Sequence, residues 1–239
     1  MAGDETVSGV FYGIGVGPGD PELMTVKAWR IVSTVPVLAY LAANGSESTA
    51  RSIAKPFIPE DIIEIAIDVP MKMERAPAQA AYDAGAARIR EHLVQGRDVA
   101  MLCEGDPFFY GSFMYVFSRL ARDFETVVVP GVSSITACAA RIGRPLAARN
   151  EVLKVIPATL EAGRLCEELR DCESAAIIKV GRHFAKVRDT LAELGLIANA
   201  VAVDKATREG ERIAPVADVD TETMPYFATI LVYAGKEHW

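Results

Sequence analysis

The sequence predicts an α/β fold, and three observations carry that prediction. A unit of short apolar strand, glycine- or proline-bearing turn and helix recurs along the chain. The same register restarts after Gly143-Arg144-Pro145-Leu146. The 239 residues are 51% hydrophobic and 24% charged, which is too apolar for disorder and long enough for one large or two small cores. Buried strands alternating with helices build sheets whose ligand sites lie at the strands' C-terminal ends.

Taken in order, Val10–Val16 reads as a strand running into Gly17-Pro18-Gly19-Asp20-Pro21, followed by a helical pattern through Leu23, Val26, Lys27, Trp29 and Arg30. Val99–Leu102 runs into Glu104-Gly105-Asp106-Pro107 and a helix from Phe113 to Ala121. Thr126–Val129 runs into Pro130-Gly131-Val132-Ser133-Ser134 and an alanine-rich helix, Ile135–Ile142. Beyond Leu146, strands are expected at Val152–Ile156, Ala175–Val180, Ala200–Asp204 and Ala228–Tyr233, with helices at Leu160–Leu169 and Phe184–Leu194. The punctuation puts a domain boundary near 147–151, giving domains 1–148 and 149–239.

Net charge is −7, which disfavours binding to nucleic acid through phosphate contacts. The most apolar stretch, Ile31–Ala43, is interrupted by Ser33, Thr34 and Pro36 and is too short to span a bilayer. The acidic start, Met1-Ala2-Gly3-Asp4-Glu5, lacks the basic residues that open a signal peptide, so a cytoplasmic location is expected. Cys103, Cys138, Cys166 and Cys172 show no CxxC spacing, and His92, His183 and His238 are scattered, so no metal site is expected.

Gly13-Ile14-Gly15-Val16-Gly17-Pro18-Gly19 leaves bare backbone after a strand, and Asp20-Pro21-Glu22 fits a helix start. The dinucleotide fingerprint fails on two counts. Pro18 and Gly19 break GxGxxG, and Val32–Asn44 holds no acidic residue for a ribose. No Gly-Lys-Ser/Thr follows, so the Walker pattern is absent too. Taken alone, the loop fits a structural turn or a ligand loop. The second Gly-Asp-Pro, at 105–107, and the third turn, at Pro130-Gly131, put three glycine-bearing strand ends on one crevice; either aspartate also fits a plain helix cap.

These turns carry a family resemblance. Gly15-Val16-Gly17-Pro18-Gly19-Asp20-Pro21 with Thr25, Lys27 and Ala28, then Glu104-Gly105-Asp106-Pro107 with Tyr110-Gly111, Val129 to Ser134, and Gly143-x-Pro145-Leu146 together resemble the tetrapyrrole methylase family. Ala39-Tyr40, Glu47-Ser48 with Ala50-Arg51 and Ile53-Ala54, and Cys103–Phe113 are similar to the branch that methylates carbon 20 of precorrin-2, metal-free or cobalt-loaded. The resemblance implies two α/β domains with S-adenosylmethionine in the cleft between them, a tetrapyrrole substrate and a homodimer. By position it implies cofactor contacts at Pro18, Glu104, Gly105, Asp106, Phe109, Ser133, Ser134, Val180, Ala206 and Thr229. One position departs from the pattern. Relatives that methylate uroporphyrinogen carry Asp after the second-strand Tyr, where this chain has Leu41, so no base role transfers.

A reduced tetrapyrrole is electron-rich and supplies its own carbon nucleophile; the protein holds it in line and a base later removes a proton. Glu104, Tyr40, Tyr110 and Lys205 are candidates for that base, and none is assigned. A polycarboxylate substrate needs local cations in an acidic protein. Arg51, Lys55, Lys72, Arg144, Arg149, Lys179 and Arg182 fall near strand ends or flanking loops, each otherwise a solvated surface charge. Arg51 is the first choice, since its planar fork suits a carboxylate, with Tyr40 and Tyr110 beside the substrate. Phe108, Phe109, Tyr110, Phe113, Tyr115 and Phe117 fit a macrocycle wall or ordinary core. The rival readings are methylation of another corrin carbon or of the cobalt-loaded substrate, an RNA- or protein-directed methylase of the same family, and a non-catalytic binding protein.

Overall fold

The computed structural model describes residues 8–70, 75–220 and 227–235. The chain divides into two compact units, Met1–Ser133 and Ser134–Trp239.

The first unit runs β1 (Phe11–Gly15), α1 (Val26–Val32), β2 (Val37–Ala43), α2 (Thr49–Ala54), β3 (Ile63–Val69), α3 (Arg75–Leu93), β4 (Val99–Cys103), α4 (Phe113–Leu120), β5 (Thr126–Val129). All its strand pairs are parallel, in the order β3-β2-β4-β1-β5. A parallel sheet needs cover on both faces, and β4 is accordingly buried at every residue. On one face Phe11, Ile65, Ile67 and Met101 pack with Ile89 and Leu93 of α3 and Phe113, Val116 and Leu120 of α4. On the other, Ile14, Leu38 and Leu102 pack with Ala28 and Val32 of α1 and Ala50 and Ile53 of α2. Each fully buried Leu, Ile or Phe contributes about 1.5–3 kcal/mol, so the strands that carry the glycine turns are held rigidly.

The chain enters α1 differently from the sequence expectation. Asp20 Oδ1 accepts from Glu22 N at 2.9 Å and Pro21 sits at the first position, but only one 3-10 turn, Pro21–Leu23, results. Met24 is extended (φ −67°, ψ 140°), and the α-helix begins after Thr25, whose Oγ1 accepts from Ala28 N at 3.1 Å.

The second unit runs α5 (Ser134–Ile142), β6 (Leu153–Pro157), α6 (Ala162–Leu169), β7 (Ser174–Ile178), α7 (Phe184–Glu193), β8 (Ala200–Asp204), β9 (Arg212–Pro215), β10 (Thr229–Tyr233). Its sheet order is β6-β7-β10-β8-β9. β6 and β7 are parallel, while β10 lies antiparallel between β7 and β8. The unit begins at Ser134, ahead of the boundary that the sequence punctuation gives at 148/149. The reason is α5, whose buried residues, Ile135, Ala137, Cys138 and Ala139, belong to a helix that packs on β10.

The two ends of this second sheet are built differently. At the end where β8 starts, Asn199 Nδ2 donates to Tyr233 O at 2.9 Å and the Tyr233 hydroxyl donates to Glu151 Oε1 at 2.7 Å. Ser174 Oγ donates to Leu146 O, and the Arg144 guanidinium lies 5.6 Å from the Tyr233 ring centre. At the end where β7 and β8 finish, the backbone instead takes left-handed turns at Lys179 (φ 58°), Lys205 (φ 50°) and Thr207 (φ 65°).

Candidate active site

In the first unit β1 lies between β4 and β5, so the turns following these three strands emerge side by side. They touch through backbone. Gly105 N donates to Gly17 O at 2.8 Å, and Gly17 N donates to Gly105 O at 3.3 Å. An ideal Cβ placed on Gly15 would sit 2.5 Å from Gly131 N, and one placed on Gly131 would run into the Gly105 carbonyl oxygen. Side chains are therefore excluded where the three turns cross. Gly105 itself has φ +62°, a conformation glycine adopts without penalty, and the nearest protein atom to an added Cβ is Val132 O at 3.8 Å. A Cβ at Gly105 would thus meet only ordinary van der Waals contact, while the polar backbone around it is fixed.

Asp106 has a structural task that the sequence did not reveal. Its Oδ1 accepts from Phe108 N at 2.9 Å and its Oδ2 from Gly131 N at 3.1 Å, so one carboxylate ties the second turn to the third. Each oxygen retains a further lone pair for a ligand. Pro18, Glu104, Phe109 and Ser133 are all half-buried around the same crossing. The Phe109 ring meets Tyr110 edge-on at 5.2 Å, and Tyr110 is exposed with φ +56°. The other aromatics separate by role. Phe113 is fully buried core, Tyr115 stacks on Tyr82 at 5.0 Å, and Phe108 stays half-exposed while packing edge-on to Phe117.

Tyr40 and Arg51 come together, with a third residue the sequence reading passed over. Leu38 pairs with Glu64 and Tyr40 with Ala66 across β2 and β3, which sets Tyr40 and Glu64 on one face. From α2 above, Arg51 grips Glu64 with Nε at 2.7 Å and Nη2 at 2.8 Å, and the Tyr40 phenol is close enough to feel both charges. The fork expected to be available for a substrate carboxylate is thus spent on Glu64, because β3 delivers an acceptor to it. The Arg51 hydrogen bond holds the Glu64 carboxyl below its ordinary range, and burial followed by Glu64 raises the Tyr40 phenol above its own, keeping it protonated. Leu41 points to the opposite face and joins the core around Ile65 and Met101.

In the second unit Val180 follows β7, Ala206 follows β8 and Thr229 opens β10. Thr229 pairs with Val203, so the antiparallel course of β10 brings it to the end where β7 and β8 finish. All three are buried, and Ser134 is the first residue of α5. Glu211 is another residue that sequence reading missed. Its Oε2 accepts from Thr207 N at 2.6 Å, and Arg141 of α5 donates to the same carboxylate, with Nη2 at 2.8 Å. Arg141 holds the Glu211 carboxyl below its usual range. Of the proposed cations, Lys179 is half-buried just after β7, and Lys55 and Arg182 are exposed. Arg144 lies at the end of the sheet where β8 starts, beside Tyr233 and Asn199 O. Lys72 lies outside the described residues. Among the described residues no group of three His, Cys, Asp or Glu side chains could hold a metal ion, and no helix is long and apolar enough to cross a membrane.

Bare crossing backbone at a parallel sheet's C-terminal edge is an architecture for small-ligand binding. Residues 10–220 match the family model Tetrapyrrole (Corrin/Porphyrin) Methylases, and the chain belongs to that family. The cobalamin biosynthesis protein CobIJ of Mycobacterium tuberculosis is 41% identical over 237 residues, covering 95% of this chain and 46% of that protein. The chain thus spans about half the length of this relative. A Sinorhizobium precorrin-2 C(20)-methyltransferase is 37% identical over 237 residues, covering 96% of this chain and 97% of its own. Among solved structures, the uroporphyrin-III C-methyl transferase of Thermus thermophilus in complex with S-adenosyl homocysteine has a TM-score of 0.68 at 22% identity, covering 95% of this chain and 98% of that one. That likeness concerns the fold.

Proposed function

We propose that this chain transfers a methyl group from S-adenosylmethionine to carbon 20 of precorrin-2, a step of cobalamin biosynthesis. The observation that carries the reading is the 37% identity, over nearly the whole of both chains, to a precorrin-2 C(20)-methyltransferase. The residues present suit the cofactor: the space beside Gly105 is what a Cβ would fill, and the amides and carbonyls around it are fixed by the Gly17–Gly105 pairing and by Asp106.

When bound, S-adenosylmethionine supplies a methyl group made electrophilic by its sulfonium. In the first unit Pro18, Glu104, Gly105, Asp106, Phe109 and Ser133 hold it, Gly105 through backbone. In the second unit Ser134, Val180, Ala206 and Thr229 do so, Val180 and Ala206 with little but main chain to offer. On the substrate side we place Tyr40, Arg51 and Tyr110. Arg51 orients Tyr40 and Glu64 rather than gripping a carboxylate with its whole fork. Leu41, turned into the core, presents no carboxylate on β2, which favours precorrin-2 over uroporphyrinogen.

The enzyme works in the cytoplasm as a homodimer. Incubation with methyl-labelled cofactor and precorrin-2, in metal-free and cobalt-loaded form, is expected to give a product labelled at carbon 20 by NMR. Label at another carbon, or none with either form, overturns the reading. A single sedimenting species near the 25.8 kDa monomer mass at micromolar concentration overturns the dimer.

A further inference from the structure

The segment that follows β8 holds its shape against its own conformational preferences. Lys205 (φ 50°) and Thr207 (φ 65°) both take the left-handed region, and for a β-branched threonine that is a real outlier. Such strain persists only where the surroundings over-determine it, and it concentrates at binding sites. Here the surroundings are identifiable. Glu211 Oε2 accepts the Thr207 amide at 2.6 Å, and Arg208 N donates to Lys205 O at 2.9 Å to close the turn. Glu211 is itself fixed, since Arg141 Nε lies 2.9 and 3.0 Å from its two oxygens and Arg141 Nη2 is 2.8 Å from Oε1. The Glu211 side chain is only 14% exposed, so these donors meet an acceptor that water scarcely reaches. Between the two strained residues lies Ala206, buried, with little but its backbone to offer a ligand.

We infer that Glu211, braced by Arg141, is a positioning residue: it clamps the Thr207 amide and thereby holds the Ala206 backbone in the conformation that binds the methyl donor. The inference rests on the functional reading above. It assigns Glu211 no contact with substrate or cofactor and no proton to carry.

Four proteins test it: the natural chain, Glu211→Ala, Glu211→Gln, and the double variant Glu211→Ala/Thr207→Gly. Calorimetry with S-adenosylhomocysteine gives affinity, and steady-state kinetics separate KM for the cofactor from kcat. Glu211→Ala is expected to weaken binding about tenfold, since the ligand must then supply the strain that the clamp carried, with kcat at saturating cofactor within about twofold. Glu211→Gln keeps an acceptor for the amide and should recover most of the affinity. Glycine at 207 takes the left-handed turn unaided, so the double variant should recover it without any clamp. An unchanged affinity in Glu211→Ala overturns the inference, as does a loss that neither Gln nor the added glycine restores. Hydrogen exchange at the Thr207 amide keeps this separable from the functional reading. Protection lost in Glu211→Ala supports the clamp, and unchanged protection overturns it. A natural chain that does not bind S-adenosylhomocysteine overturns the functional reading and the positioning role together.

Discussion

Alanine at Gly131 and alanine at Gly105 should fail in different ways, although the two glycines are neighbours at one crossing. At Gly131 the new Cβ lies 2.8 Å from Gly15 Cα and 2.9 Å from Gly15 C, with the Gly105 carbonyl oxygen nearer still. Carbon atoms rest at about 3.5–4.0 Å, so the turns must part by roughly 1 Å, and no side chain is there to yield. Overpacking of this kind costs about 1–3 kcal/mol. Separating the turns also strains the two Gly17–Gly105 hydrogen bonds, each worth about 1 kcal/mol. The Gly131→Ala chain should therefore lose about 2–5 kcal/mol. At Gly105 the new methyl meets nothing closer than 3.8 Å, and the cost is the left-handed φ alone, about 1–2 kcal/mol. That methyl, however, covers backbone proposed to meet the cofactor, so affinity for S-adenosylhomocysteine should fall about tenfold or more. Thermal unfolding followed by circular dichroism, where 1 kcal/mol moves Tm by about 2–4 °C at this size, is paired with calorimetry of the ligand. If Gly131→Ala melts as the natural chain does, or Gly105→Ala binds ligand unchanged, the description of the crossing is wrong.

Three further outcomes are expected. A double-mutant cycle on Arg51 and Glu64 should return a coupling near 1 kcal/mol for this partly exposed bidentate pair, and Arg51→Ala and Glu64→Ala should raise the substrate KM alike. If only Arg51→Ala raises KM, Arg51 grips the substrate directly. Because the folded-state Glu64 carboxyl lies below its unfolded value, its contribution is complete above the unfolded pKa and is lost as pH falls through the folded one. Glu64→Gln should accordingly flatten the acid side of the stability curve measured below about pH 4.3 and leave the alkaline side alone; an unaltered acid limb would contradict this. Burial raises the Cys103 and Cys172 thiols and pushes Cys138 up to about 11, whereas Cys166 is half-buried on α6. A thiol reagent at neutral pH should therefore modify one cysteine of the folded chain, and Cys166→Ser should abolish that reaction.

How legible a feature was in the sequence depended on whether its signal was local. β1, β4, β5, β7 and β8 stood out as apolar runs ended by glycine, proline or acidic turns, and their order along the chain sufficed to gather three turns. β3 and α3 did not stand out. β3 buries Ile65, Ile67 and Val69 and turns Glu64, Ala66 and Asp68 away, a period of two that mixes polar and apolar residues rather than a continuous apolar run, although Pro59-Glu60-Asp61 and Pro70 bound it. α3 buries Tyr82, Ala86, Ile89 and Leu93, but small residues dilute the stripe, so its apolar face is faint in the sequence. Missing β3 meant missing Glu64, and so the partner that claims Arg51. Glu211 and Arg141 lie 70 residues apart and meet only because α5 packs in the second unit. Asp106 read as a helix cap or a ligand acceptor, and its bond to Gly131 is a contact between two turns that no spacing rule encodes.

The contrast between the two ends of the second sheet bears on how such a protein can change. At one end Asn199, Tyr233, Glu151, Ser174 and Leu146 are stitched to one another through side chains, so a substitution there is felt by several partners and is paid for in stability. The opposite end carries turns with left-handed backbone, one of them held by the Glu211 carboxylate, beside the Asp204–Arg212 pair that closes β8 on β9. Lengthening or reshaping one of those turns would alter what the edge receives while leaving the register of β7, β10 and β8 intact. A lineage in search of a new substrate can thus edit one margin of the sheet freely, with the other margin serving as its anchor.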